Sequence, residues 1–196
     1  MTTANPPSPS PSPSPRPAIT AAATAFTHSY ARAMSLSSPA ARAPIPLVAA
    51  ALGAHYAADT TAYTLGHRMV FASAAAAAPG IAAHLARFER SGLGCAIAMA
   101  ALRVEPVSAG SALCWVTWAI EPRAGGPFEG RGWRWENVYA YRRPVEEGGA
   151  GAERRWVGGD EAEGEGWEVP EGWWEFMLSD NELLSILERV PNFMEL

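Results

Sequence analysis

Asp180 closes the apolar run Trp173–Ser179, and on a strand it shares a face with Trp174, Phe176 and Leu178. A carboxylate beside an apolar surface has a raised pKa and can act as a general acid or base. His67, in the segment TLGHRMVF, is the second residue that could move a proton near neutral pH. Its neighbour Arg68 could oppose a developing oxyanion, and Tyr63 or Asn137 could hold a ligand oxygen. Each group has a plainer role open to it. Asp180 could cap a helix starting at Asn181, and His67 could be a hydrogen-bonded surface histidine. No Ser-His-Asp order, nucleophile elbow, glycine-rich phosphate loop or Cys/His metal spacing is present, so hydrolase, nucleotide and metal chemistry are disfavoured.

These residues need a frame, and the tryptophans mark it. All eight lie between Trp115 and Trp174. Two-residue alternation runs through CWVTW (114–118), GWRWENVYAYRR (132–143) and GWWEFMLSD (172–180), and predicts strands of an antiparallel sheet. On the second of these, Trp133, Trp135, Asn137, Tyr139 and Tyr141 share one face. With Trp118, Trp174 and Phe176 they form an aromatic wall suited to a flat apolar ligand. The same rings could instead fill a core or meet a second copy of the chain.

The first half of the chain supplies the cover. Ile19, Ala22, Phe26 and Tyr30 make a helical stripe within 18–37. A second helix starts near Pro46 and carries His55 and Tyr56 on its far end. Residues 60–71 are β-leaning around a turn at Gly66. Residues 74–78 and then 79–91 form another helix, with Ile81, Leu85 and Phe88 facing inward and His84 facing solvent. Long strands are expected over 95–107, 112–121, 131–143 and 173–179, then a short helix over 181–190.

Residues 1–17 are a Ser/Pro-rich tail, because alternating proline removes donors and restricts its neighbours. Residues 18–196 form a single domain, interrupted at 146–171 by a Gly/Glu-rich loop with nine acids against Arg154 and Arg155. With 48% hydrophobic residues the chain can build one proper core. The net charge of −5, and the absence of a basic stripe among the aromatics, argue against a nucleic-acid surface. No apolar run is long enough to cross a membrane. Two cysteines, Cys95 and Cys114, read as buried thiols, with a bridge between neighbouring strands as the alternative. A cytoplasmic location follows. The alternative is mitochondrial import, since no acid precedes Asp59 while Arg16, Arg32 and Arg42 do.

Three stretches carry a resemblance. HYAADTTAYTLG (55–66), GIAAHLARFERSG (80–92), and FEGRGWRWENVYAYRR followed by GWWEFMLSDNE resemble the NTF2-like superfamily, in particular its SnoaL-like branch. The likeness spans roughly residues 20–191, and the order of elements carries it more than any one motif. It implies an α+β cone: a curved antiparallel sheet closed by about three N-terminal helices around a pocket. It also implies an acidic residue near the end of a late strand in that pocket, a position Asp180 matches, and a short strand near the mouth, where His67 lies. Activity would be that of a cofactor-free isomerase, dehydratase or cyclase acting on a hydrophobic small molecule. The alternative is a non-catalytic ligand-binding or dimerisation module, paired as a homodimer through the sheet. The fold alone does not choose between them.

Overall fold

The computed structural model describes residues 18–144, 155–157 and 166–196. The Ser-Pro tail and most of the acidic loop lie outside the described residues.

Helix α1 (Ile19–Ser35) buries Ala23, Phe26, Tyr30 and Ala33, the i, i+3, i+4 stripe its sequence carries. Helix α2 (Ile45–Gly53) has Pro46 in its first turn, where the missing N–H costs no helical bond. Helix α3 (Ala74–Arg90) is capped by Ser73, whose hydroxyl accepts from the Ala76 N–H. It runs on through Pro79 as a single helix, as the sequence suggests. One backbone bond is lost there, but the buried stripe Ala77, Leu85 and Phe88 holds the two halves together.

The expectation of Tyr56 on a helix is corrected. Strand β1 (Tyr56–Thr64) starts at that residue, directly after the α2 exit. Leu65 and Gly66, with φ of 48° and 77°, make the two-residue turn into β2 (His67–Phe71). Strands β3 (Ile97–Pro106), β4 (Ser111–Ile120) and β5 (Trp133–Arg142) form an antiparallel meander. Two-residue strands β6 (Trp156–Val157) and β7 (Trp167–Glu168) pair only with each other. Strand β8 (Trp173–Leu178) then enters the main sheet, whose order is β2-β1-β8-β5-β4-β3.

The fold is α+β, and the sheet is mixed where the sequence suggests purely antiparallel, because β8 inserts parallel to β1. Alternation reads the faces of a strand, not the direction of its neighbour. Register breaks between Tyr56 and Thr61, between Met99 and Ala101, and between Ala140 and Tyr141 bend the sheet without closing it into a barrel. Helix α1 packs on the inner face over β3 and β4, α2 packs on α3, and α4 (Asp180–Leu187) lies against β5 and β1. A last 3-10 turn, Phe193–Glu195, reaches α3.

The core is aromatic. Trp118, Trp174, Tyr141, Phe26 and Phe88 are essentially inaccessible, and each such burial contributes about 1.5–3 kcal/mol. Trp174 stands edge-on to Phe26 and Tyr30, at centroid distances of 4.8 and 5.7 Å. Cys95 and Cys114 are buried and unpaired, and burial pushes their thiols up to about 12 and about 11. No helix among the described residues is long and apolar enough to cross a membrane.

Candidate functional site

A polar cluster is set into one end of this aromatic core, and its centre is Glu182. Glu182 sits in the first turn of α4, with 14% of its side chain exposed. Its Oε1 accepts from His84 Nε2 at 2.8 Å, and its Oε2 accepts from Asn137 Nδ2 at 2.7 Å. Burial alone would push this carboxyl up. The bond and charge of His84, with the Asn137 bond, outweigh it, so the net pKa is lowered and Glu182 is ionised at neutral pH. The N–H groups of the α4 first turn favour the same charge. The Trp135 indole N–H also faces the carboxylate and lowers its pKa, without reaching hydrogen-bond geometry.

Asn137 ties this carboxylate to the strand. Its Nδ2 also reaches the Tyr139 hydroxyl at 3.4 Å, and that hydroxyl accepts from Trp118 Nε1 at 3.2 Å. Tyr30 and Tyr56 share a hydrogen bond of 2.8 Å deeper in, and Tyr56 donates to Met177 Sδ at 3.8 Å. Burial raises the pKa of all three tyrosines, Tyr56 to about 12, and the Glu182 charge adds to the rise. They are therefore neutral hydroxyls. His84, with 36% of its side chain exposed, connects the carboxylate to solvent. The arrangement can take a proton from inside the core and hand it to water. Among the described residues, no group of three His, Cys, Asp or Glu side chains could hold a metal ion.

The residues expected to build the site divide in two. Trp118, Trp135, Asn137, Tyr139 and Trp174 come together on the inner face. Trp133 stands at its rim, 6.1 Å from the Trp135 ring, and donates to Ser185 Oγ at 3.0 Å. Phe176 does not join them. The register break beside Tyr141 pairs Trp174 with Tyr141 but Phe176 with Ala140, so Phe176 takes the outer face and Met177 the inner one. Tyr63 and Arg68 are paired on the outer face and exposed, and His67 is exposed on the edge strand β2. Asp180 is exposed at the start of α4, where its Oδ1 accepts from the Leu65 N–H. It fastens α4 to the β1–β2 turn rather than facing the rings.

Glu182 and His84 carry the cluster, and the sequence reading assigned neither to it. His84, expected to face solvent, is partly covered and turned to Glu182, and the signal that could have found it is the helical stripe of 81, 84, 85 and 88. The rings themselves are packed tightly. Two clefts, of about 820 and 600 Å³, lie elsewhere, the larger beside Arg42 and Arg123 and the smaller beside Arg155. No family profile, curated protein or solved structure matches this chain.

Proposed function

We propose that this chain is an NTF2-like protein of the SnoaL-like kind that binds a hydrophobic small molecule among its inner-face rings. The proton-moving pair is Glu182 and His84, as in a cofactor-free isomerase, dehydratase or cyclase. The observation that supports this is a hydrogen-bonded, ionised carboxylate at the edge of an aromatic core, joined to a solvent-reaching histidine. A C–H proton next to a ligand carbonyl would pass to the Glu182 carboxylate, leaving charge on the carbonyl oxygen. The Trp135 N–H and the neutral Tyr139 O–H are the donors placed to receive that charge. His84 then exchanges the proton with water.

The test is hydrogen-deuterium exchange at the α-carbon of β-tetralone, an apolar bicyclic ketone, followed by NMR. The intact chain should speed exchange. Glu182→Gln should lower the rate by about 100-fold, the low end of general acid–base contributions. Asp180→Asn should leave it unchanged, since that carboxylate is outside the cluster. Equal rates with Glu182→Gln would sink the assignment.

A second reading rests on the outer face of the sheet. Tyr63, Val70 and Leu178 are 39%, 46% and 39% exposed there, beside Phe176, Val138 and Trp115. An apolar face of this breadth suits a dimerisation module, with the second copy covering it.

A further inference from the structure

Trp135 and Trp174 each bury an indole N–H that donates to nothing, at 5% and 0% exposure. Their covers differ. Trp174 lies beneath α1, edge-on to Phe26 and Tyr30. Trp135 lies beneath α4 and faces the Glu182 carboxylate. Few groups hold α4 down. Leu183 and Ile186 are its buried apolar side chains. The rest of its hold is polar: Glu182 bonds His84 and Asn137, and Ser185 Oγ accepts from the Trp133 indole at 3.0 Å. Eight residues make no stable helix in water, where about 12 are needed, so α4 owes its shape to docking. Docking also leaves polar atoms dry. Asn137 Oδ1 accepts nothing, Trp135 Nε1 donates to nothing, and Glu182 gives up most of its water. All three are hydrated when α4 lifts, which offsets part of the gain from burying Leu183 and Ile186. The two ends of the helix are fastened separately. The Ser179 N–H donates to the Tyr63 carbonyl at 3.0 Å, and Asp180 accepts from the Leu65 N–H. Beyond the helix, the buried Phe193 stands edge-on to Phe88 and His84, at 5.2 and 5.7 Å.

We propose that α4 is a lid. Residues 181–189 lift from β5 as a unit while the fastenings at Ser179, Asp180 and Phe193 hold, and the Trp135 indole meets water. Lifting separates Glu182 from His84 and Asn137, and closing reassembles them. As an entry route the lid rests on the small-molecule reading above: it admits a ligand to rings that are sealed in the closed form, and it carries the base that then meets that ligand. The opening itself stands without that reading. Helix α1 has no comparable release. It buries the whole stripe of Ala23, Phe26, Tyr30 and Ala33, so Trp174 stays dry until the chain unfolds globally.

Hydrogen–deuterium exchange of the ¹⁵N-labelled full chain, followed by NMR, tests this. The two indoles are a matched pair, since neither N–H is bonded. The signal lost in Trp135→Phe identifies Trp135, and contacts to the Phe26 and Tyr30 rings identify Trp174. The Trp135 indole should exchange at least about 100-fold faster than that of Trp174, in step with the backbone N–H groups of 184–187. Dilute urea should speed those signals less than it speeds the amides of α1, because a local opening exposes less surface. Ser185→Ala removes the Trp133 bond, so it should raise the α4 and Trp135 rates roughly tenfold, the worth of one hydrogen bond, and leave Trp174 unchanged. Glu182→Ala should act in the same direction, and the wild-type comparison decides the matter even if that variant fails to fold. Equal rates for the two indoles, or α4 amides that exchange only together with those of α1, would overturn the lid. Rapid α4 exchange in a chain that leaves β-tetralone unchanged would keep the lid and remove the catalysis. Glu182-dependent exchange of β-tetralone, with Trp135 as slow as Trp174, would do the reverse.

Discussion

His55 is a buried histidine whose two ring nitrogens have different partners, and those partners fix its state. Nδ1 faces the Ala51 carbonyl at 3.0 Å, so Nδ1 carries the proton. Nε2 therefore accepts, and the Ser29 hydroxyl donates to it at 3.0 Å while receiving the Trp167 indole N–H, also at 3.0 Å. Burial, the largest cause, lowers the His55 pKa from 6.5 to about 4, and the Arg155 charge adds to it. The unfolded chain thus binds this proton before the folded chain does. Stability from this group is fully present above pH 6.5 and is lost as pH falls toward 4. Each pH unit in that window weighs about 1.4 kcal/mol, so the full loss is roughly 3 kcal/mol. Urea unfolding measured at steps from pH 7 to 4 should show that slope, and His55→Gln should flatten it. A wild-type profile flat across the window would mean that His55 is not neutral and buried as described. Glu182 works in a lower window. Its folded pKa lies below 4.5, so its contribution is present above that value and is lost as pH falls through the folded one.

At the scale of elements, the register break within β8 decides what the inner face contains, and Gly172 lets the chain enter that strand. Its φ is 114°, and a Cβ there would overlap the Tyr141 ring and lie 2.7 Å from the Arg142 carbonyl oxygen. Gly172→Ala should therefore cost about 3 kcal/mol, strain and overpacking together. Gly66→Ala, with φ of 77° and open space around it, should cost only about 1 kcal/mol. Urea midpoints of the two variants give the comparison, and equal losses would refute the packing argument. The same register break explains what was legible in the sequence. Alternation placed Trp135, Asn137 and Tyr139 correctly, because β5 runs against β4 without a break. It failed on Phe176, because a bulge exchanges faces and leaves no mark in a period of two. The parallel pairing of β1 with β8 joins the two ends of the chain, and no local pattern records it. Glu182 was missed for a related reason. A helix of eight residues shows its buried side weakly, and the residue that points inward is a carboxylate, the type least expected there.

At the scale of the whole molecule, the sheet has two faces with different fates. The inner one is covered by α1 and closed at one end by α4. The outer one has no described helix over it. Pairing across the strands sets Tyr63, Leu178, Val138 and Trp115 in one row, with Arg103 at its far end stacked on the Trp115 ring at 3.9 Å. Val70 and Phe176 belong to the next row, each paired with Thr61. Ion pairs of Arg103 with Glu105 and of Arg142 with Glu175 border the patch. Six strands at about 4.8 Å spacing, with two same-face rows about 7 Å apart, cover roughly 400 Å², which would form the centre of a standard interface of about 800 Å² on each partner. If a second copy covers them, sedimentation velocity should show a dimer that dissociates on dilution. The double substitution Val70→Lys and Leu178→Lys would place four like charges in the interface, and the dimer should give way to a monomer with an unchanged circular dichroism spectrum. Both positions are on the outer face, so β-tetralone exchange should survive the change. A wild-type chain that stays monomeric at every concentration would remove the dimerisation module and leave the interior site to stand alone.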